Sequence, residues 1–334
     1  MRLFFVRHGE TVDNVAGLYA GVRDSALTNH GVDQAKRLGD YLAKNSSDIT
    51  SIFSSPLTRA FKTAEAVRKA QIDKISNGKT LGRLEITKVP ELIEQDFGFY
   101  EGKPFYARSD PKKTGREAHY ESHKSDPGFV DVESKESMAT RADKFLDEHL
   151  LPLFDADEHE SEPCVLVVSH GILLSNLWRR LLLRLPRKSL TIAPEITASR
   201  GALVLEHLGG WSNTGYLELT VRRDAGHSDG EQPSTSPRAI KTSDADTLET
   251  PVPPPMDPDA VSVSLDTKPA ETQQDQIEQV QSPKTLAGYS THIIAVDSKQ
   301  HLAGLKRQRG GIGRLAHDEG QKKLDGFFKK QRIG

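Results

Sequence analysis

The sequence predicts an α/β fold over residues 1–224, a mostly parallel central sheet flanked by helices. Three observations carry this. Short apolar runs alternate with segments of helical apolar spacing along that stretch. Two of the runs, Leu3-Phe4-Phe5-Val6 and Val165-Leu166-Val167-Val168, read as buried strands. Each leads into a histidine–glycine pair, in Arg7-His8-Gly9 and in Ser169-His170-Gly171. A histidine at the carboxyl end of such a strand stands where open α/β sheets bind ligands.

Strands are expected at 2–6, 51–54, 84–88, 164–168, 201–207 and 215–221, and helices at 31–44, 57–71, 135–154 and 171–185. Thr28-Asn29-His30-Gly31 supplies a capping residue before the helical spacing of Val32, Ala35 and Leu38. Leu173, Leu174, Leu177 and Leu181-Leu182-Leu183 form an apolar helical stripe, which is core. Residues 103–134 interrupt the alternation. They carry Lys103, Arg108, Lys112, Lys113, Arg116 and Lys124 with His119 and His123. A basic lid over an anionic substrate and a solvated loop fit this segment equally. Two histidines without a third ligand do not make a metal site.

Composition changes sharply after residue 224. Residues 225–285 hold nine of the 18 prolines and no Phe, Trp or Tyr. Their eleven acidic and four basic residues give a charge near −7. Such a segment cannot bury enough apolar surface to offset its ordering entropy, so a disordered acidic linker is expected. Residues 286–334 form the third part, a basic tail in which 289–296 has the pattern of one strand. From Lys299 onward ten Lys or Arg face three acids. The opposite charges of linker and tail explain the whole-chain value of only −2. The single cysteine, Cys164, opens a strand pattern as a small buried residue and points to a reducing compartment. No apolar run approaches about 18 residues, and a strand pattern begins directly at Met1. A soluble protein of the cytoplasm, the nucleus or both is the expectation.

Hydrolysis of a phosphate monoester needs a nucleophile, cations and donors around the phosphoryl oxygens, and an acid for the leaving oxygen. The chain offers each. Arg7 precedes His8, Asn14 follows six residues on, Arg59 stands where a helix begins after a strand, Glu94 lies in a loop after the 84–88 strand, and His170 ends the last core run. Arg37 and Arg141 read as helix-surface cations and Asp96 as a turn or ion-pair residue.

With these stretches in view, RHGET at 7–11, LTNHG at 27–31, SSPLTRAFKTAE at 54–65, LIEQDFGFYEG at 92–102 and VVSHG at 167–171, residues 1–224 resemble the histidine phosphatase superfamily, in its phosphoglycerate mutase-like branch. The resemblance implies that His8 becomes phosphohistidine and that Arg7, Asn14, Arg59 and His170 hold the phosphate. It implies that Glu94 acts as general acid and then as base, with a small phosphorylated substrate and no cofactor or metal. Glu133-Ser134 is similar to a family Gly-Glu-Ser element, with Val132 in the glycine's place. Mutases of the family usually carry a tryptophan between the RHG motif and the asparagine, where this chain reads Glu10-Thr11-Val12-Asp13. A phosphatase is therefore favoured and a mutase-type phosphotransferase is the alternative. The secreted acid phosphatase branch is not matched after residue 9.

Near the carboxyl end, Gln321, Leu324, Phe327 and Phe328 have the spacing of the PIP box. The segment resembles ligands of the DNA sliding clamp, proliferating cell nuclear antigen. One helical turn would put the three apolar side chains on one side as anchors, with Gln321 hydrogen-bonding nearby. This allows a reading from another class, a clamp-binding adaptor whose phosphatase fold is vestigial.

Overall fold

The computed structural model describes residues 1–45, 48–75, 84–105, 120–121, 123–154, 162–224, 284–309 and 311–318. The strands are β1 (Arg2–Arg7), β2 (Ser51–Ser54), β3 (Ile86–Lys88), β4 (Cys164–Ser169), β5 (Leu190–Ile192), β6 (Tyr216–Arg223) and β7 (Tyr289–Ser298). The helices are α1 (Val12–Ala16), α2 (Asn29–Asn45), α3 (Thr58–Ile75), α4 (Lys135–Phe145), α5 (Gly171–Arg184) and α6 (Pro194–Arg200). One seven-stranded sheet has the order β3-β2-β4-β1-β6-β7-β5. Four of its pairings are parallel, and β6 runs antiparallel to β1 and to β7. The expected α/β class with a mostly parallel sheet is what forms.

Alternation along the strands divides the core into two layers. Leu3, Phe5, Val165 and Val167 face one side and pack with Met138, Phe145, Leu177 and Trp178 of α4 and α5. Phe4, Val6, Leu166 and Val168 face the other and pack with Leu38, Leu42, Ala60 and Val67 of α2 and α3. All eight strand residues are fully buried, which is why these runs show no polar alternation. Cys164 is buried at the start of β4, and burial pushes its thiol up to about 12, so it is a small core residue.

Three expectations change. Residues 201–207 form no strand. Gly201 ends α6 at φ 75°, the chain then turns, and Trp178 Nε1 holds the Leu205 carbonyl at 2.5 Å. Leu203 and Leu205 pack on the core from a loop, so the apolar run reflects burial without sheet pairing. The helix expected to run to 154 keeps α geometry only to Phe145. It widens to a π-turn at Leu146–Leu150 and tightens to a 3-10 turn at Leu151–Phe154, where Pro152 has no N–H to continue the ladder.

The largest change concerns the part expected as a separate tail from 286. β7 lies inside the sheet, between β6 and β5, within the same compact unit as β1 to β6. Beyond it, residues 299–309 and 311–318 lie along α2 and the residues just before it. Arg37 donates to the Ala303 carbonyl at 2.8 Å, Tyr41 to Gln300 at 2.6 Å, and the Asn29 and His317 amides pair with Leu315 and Leu27. Arg307 forms a two-pronged ion pair with Glu10, its Nη1 2.6 Å from Oε1. Part of the basic character read as a tail is therefore neutralised against the domain. The expected linker at 225–285 lies, apart from residues 284 and 285, outside the described residues. So does the motif carrying Gln321, Leu324, Phe327 and Phe328. No helix among the described residues is long and apolar enough to cross a membrane.

Candidate active site

Parallel pairing of β1 with β4 places Arg7 opposite Ser169, so the next residue on each strand is a histidine. Neighbouring strands lie about 4.8 Å apart. The rings of His8 and His170 accordingly meet with centroids 5.1 Å apart. The His8 amide donates to the Ser169 carbonyl at 3.0 Å and fixes the crossing.

Hydrogen bonding sets the state of each ring. His8 Nδ1 lies 2.7 Å from the Gly9 carbonyl, which only accepts, so Nδ1 carries the proton and Nε2 keeps its lone pair. Arg59 Nε donates to His170 Nδ1 at 3.2 Å, so the His170 proton sits on Nε2 and reaches Ser55 Oγ at 2.9 Å. Both imidazoles are held well below their ordinary range. Burial is the main cause for each, and Arg59 and Arg7 add to it. They are neutral at physiological pH.

A cavity of about 440 Å³ opens beside this pair and is lined by Arg7, His8, Asn14, Arg59 and Glu94. His170 lies fully buried behind His8. Arg59 is buried, with Nη1 and Nη2 on the carbonyls of Arg23 and Gly21. One N–H on each terminal nitrogen remains for a bound group. Arg7 donates Nη1 to the Trp211 carbonyl at 2.6 Å, and its buried Nε meets no acceptor among the described residues. Burial lowers both arginines from their ordinary value, and the Glu94 charge is the largest opposing influence. Asn14 Oδ1 accepts from the Thr11 amide and from Asn213, which leaves its NH₂ free to donate. Glu94 accepts from the amides of Gln95, Ile172 and Leu173, two of them in the first turn of α5.

The six residues singled out for this chemistry therefore gather around one cavity. His170 differs in detail from the expectation, because both its ring nitrogens are already engaged by Arg59 and Ser55. It buttresses Arg59 and does not offer a free donor. Arg141 also departs from its reading as a surface cation. It grips Glu133 through Nε and Nη2 and caps the carbonyls of Glu91, Ile93 and Glu94, fixing the loop that presents Glu94. Glu133 is thus a structural partner of Arg141 and not a wall of the cavity. Asp96 accepts from the Gly98 amide in a turn. His123 pairs with Asp126 and stacks on Phe99, and His119 lies outside the described residues. Among the described residues no three His, Cys, Asp or Glu side chains gather in a ligand set.

Sequence reading missed Trp211, whose indole bonds Ser175 Oγ across the cavity. It also missed Thr214, held at φ 56° while its amide bonds the carbonyls of Arg7 and His8. A β-branched residue at positive φ is strained, and nothing local in the sequence marks it.

The buried neutral histidines have a consequence for stability. Below about pH 6.5 the unfolded chain protonates these imidazoles while the folded chain does not. Their contribution is nearly complete above that value and is lost as the pH falls, by about 2 kcal/mol for the pair between pH 6.5 and 5.5. Urea unfolding at pH 6.5 and 5.5 measures it. A wild-type curve no steeper than that of His170→Gln would contradict the neutral pair.

The chain is similar to several known proteins. The chain is 34% identical over 222 residues to the protein named probable phosphatase C1620.13 of Schizosaccharomyces pombe, a match over 65% of this chain that spans 64% of that protein's length. It is 33% identical over 178 residues to the probable phosphoglycerate mutase GpmB of Proteus mirabilis, covering 53% of this chain and 73% of that one. Among solved structures, mycobacterial hydrolase 1 aligns with a TM-score of 0.48 at 24% identity, covering 68% of this chain and 92% of its own. The sequence profile of the histidine phosphatase superfamily (branch 1) matches residues 3–198, more than half of the chain and the stretch holding both histidines. The chain belongs to that superfamily.

Proposed function

We propose that this protein hydrolyses phosphate monoesters through a phosphohistidine on His8. The observation that carries the reading is the lone pair of His8 Nε2 beside the half-buried Arg7 and the buried Arg59, whose guanidinium groups still have uncommitted donors. The phosphoryl oxygens bind Arg7, Arg59 and the Asn14 amide, with the neutral His170 ring holding Arg59 in place. Nε2 attacks phosphorus, an N–P bond forms and the ester P–O bond breaks. The leaving oxygen takes its electron pair and a proton from Glu94. Water then attacks phosphorus and gives a proton to the Glu94 carboxylate. The N–P bond breaks, its electrons return to Nε2, and inorganic phosphate leaves.

A phosphotransferase of mutase type shares the first half of this cycle and differs in the acceptor. Glu10-Thr11-Val12-Asp13, in place of a family tryptophan, supports water as acceptor. The test follows the fate of phosphate in the presence of a polyol. Equal release of alcohol and inorganic phosphate is expected. Phosphorylated polyol as the main product would replace hydrolysis by transfer.

We further propose that residues 321–328 anchor the enzyme to the sliding clamp, through Leu324, Phe327 and Phe328 as apolar anchors and Gln321 as their polar neighbour. Clamp binding would place the chain in the nucleus as well as the cytoplasm. A peptide of residues 318–334 is expected to bind proliferating cell nuclear antigen in a calorimeter and to lose binding with Phe327→Ala and Phe328→Ala. No heat from the unaltered peptide refutes the anchor.

A further inference from the structure

The cavity continues well beyond the space a phosphate fills, and one helix sets its direction. Gly171, Ser175 and Arg179 of α5 all line it, four residues apart on one helical face. Arg179 lies eight residues past Gly171, about 12 Å along the helix axis, and side chains lean back toward the helix start, so its guanidinium falls roughly 10 Å from the phosphate end. A second cavity of about 240 Å³ adjoins and shares Ser175, Arg179 and Trp211 with the first.

The state of Arg179 is unlike that of its neighbours. Arg180 and Arg184, on the same helix, are neutralised by Asp143 and Asp147. Among the described residues no carboxylate pairs with Arg179. Its Nε donates to the Glu206 carbonyl at 3.2 Å, Nη1 reaches Asn176 only at 3.5 Å, and Nη2 is uncommitted. One bond to a carbonyl orients the guanidinium and leaves its charge unneutralised. The lining of the same cavity includes the rings of Tyr19, Phe97 and Trp211, surfaces suited to a carbon chain or ring.

We propose that Arg179 binds a second oxyanion of the substrate, so that the preferred substrates are elongated phosphate esters with a phosphate or carboxylate at the far end. The choice of the cleaved end rests on the phosphatase reading. The subsite itself rests on the cavity and the unpaired guanidinium. A charge-assisted contact of this kind is worth about tenfold in affinity or more.

Two measurements separate the claims. In turnover, hexanediol bisphosphate and the phosphate ester of hydroxyhexanoate are compared with hexyl phosphate and with the short ethylene glycol bisphosphate. The long dianionic esters are expected to exceed hexyl phosphate about tenfold in kcat/KM, beyond the factor of roughly two that a bisphosphate gains from having two cleavable ends. Preference for one long ester alone identifies which oxyanion Arg179 takes. Arg179→Gln should bring the ratios down to the statistical value, Arg179→Lys should keep part, and Arg200→Gln, on exposed α6, should keep all. Calorimetry with hexane bisphosphonate and hexylphosphonate, which have no ester to cleave, reads the subsite without turnover. Tighter binding of the bisphosphonate that Arg179→Gln abolishes supports the subsite even where hydrolysis fails. Equal binding of the two, or a ratio indifferent to Arg179→Gln, overturns it.

Discussion

Replacing His8 with alanine is expected to lower kcat/KM for a chromogenic phosphate ester by about 10⁴-fold or more, the scale seen when an enzyme loses its nucleophile. The expectation follows from what the other residues can do alone. Arg7, Arg59 and Asn14 still bind the phosphoryl group and still stabilise its charge, so a small residual rate over water persists. No second nucleophile is ready to take over, because both nitrogens of His170 are engaged by Arg59 and Ser55. The acid-labile, base-stable label that a phosphohistidine leaves after rapid quenching should vanish together with the rate. His8→Ala must also fold, which unfolding by denaturant checks. The substitution removes a neutral ring, so it leaves no unpaired charge in the core. Turnover that survives His8→Ala would end the enzymatic assignment and leave the clamp-binding adaptor as the reading. Loss of turnover with retention of the label would move the nucleophile to another residue.

How far such a site can be read from sequence depends on whether its residues are fixed by local pattern. His8 and His170 were legible because an unbroken apolar run ends two positions before each, and parallel pairing of the two strands then brings them together. Arg59 was legible as a cation at a helix start and Glu94 as a carboxylate in a loop after a strand, its role as acid and base only through the resemblance of its surrounding stretch. Arg141 was not, because an arginine on a helix looks the same whether solvated or closing on a carboxylate and three carbonyls. That difference lies in a loop some 50 residues upstream. β5 has three residues and no alternation long enough to register. Conversely, 201–207 has a strand's composition but no strand to pair with. β7 has a strand's pattern, and its pairing with β6 crosses a Pro-rich acidic segment that draws the eye to a boundary. Pairing over such a separation leaves no local trace, since its energy comes from the partner strand and from core contacts.

The strand hidden in this way leads to the second large effect. A chain ending at residue 224 or at 283 is expected to lose both turnover and its cooperative unfolding transition. β7 is interior, so its removal strips the hydrogen-bond ladder from one side of β6 and detaches β5, which has no other partner among the described strands. It also withdraws Leu286, Ile293 and Val296 from the core, at about 1.5–3 kcal/mol each against a usual total of 5–15 kcal/mol. A chain ending at 298 separates folding from chemistry. It keeps β7 and Asp297, whose carboxylate holds the Ser212 amide and hydroxyl, and so should fold. It lacks His301, whose ring bonds Thr214 Oγ1 beneath the strained backbone that supports His8, and Arg307, the partner of Glu10 two residues past His8. Freed of both, the nucleophile's loop relaxes, and misplacement by about 1 Å can cost 10²-fold in rate. The 298-residue chain is thus expected to show a near-native melting transition with kcat reduced by tenfold to a hundredfold. Full activity in a 224-residue fragment would mean that β7 is dispensable, and a sheet with β7 between β6 and β5 could not stand.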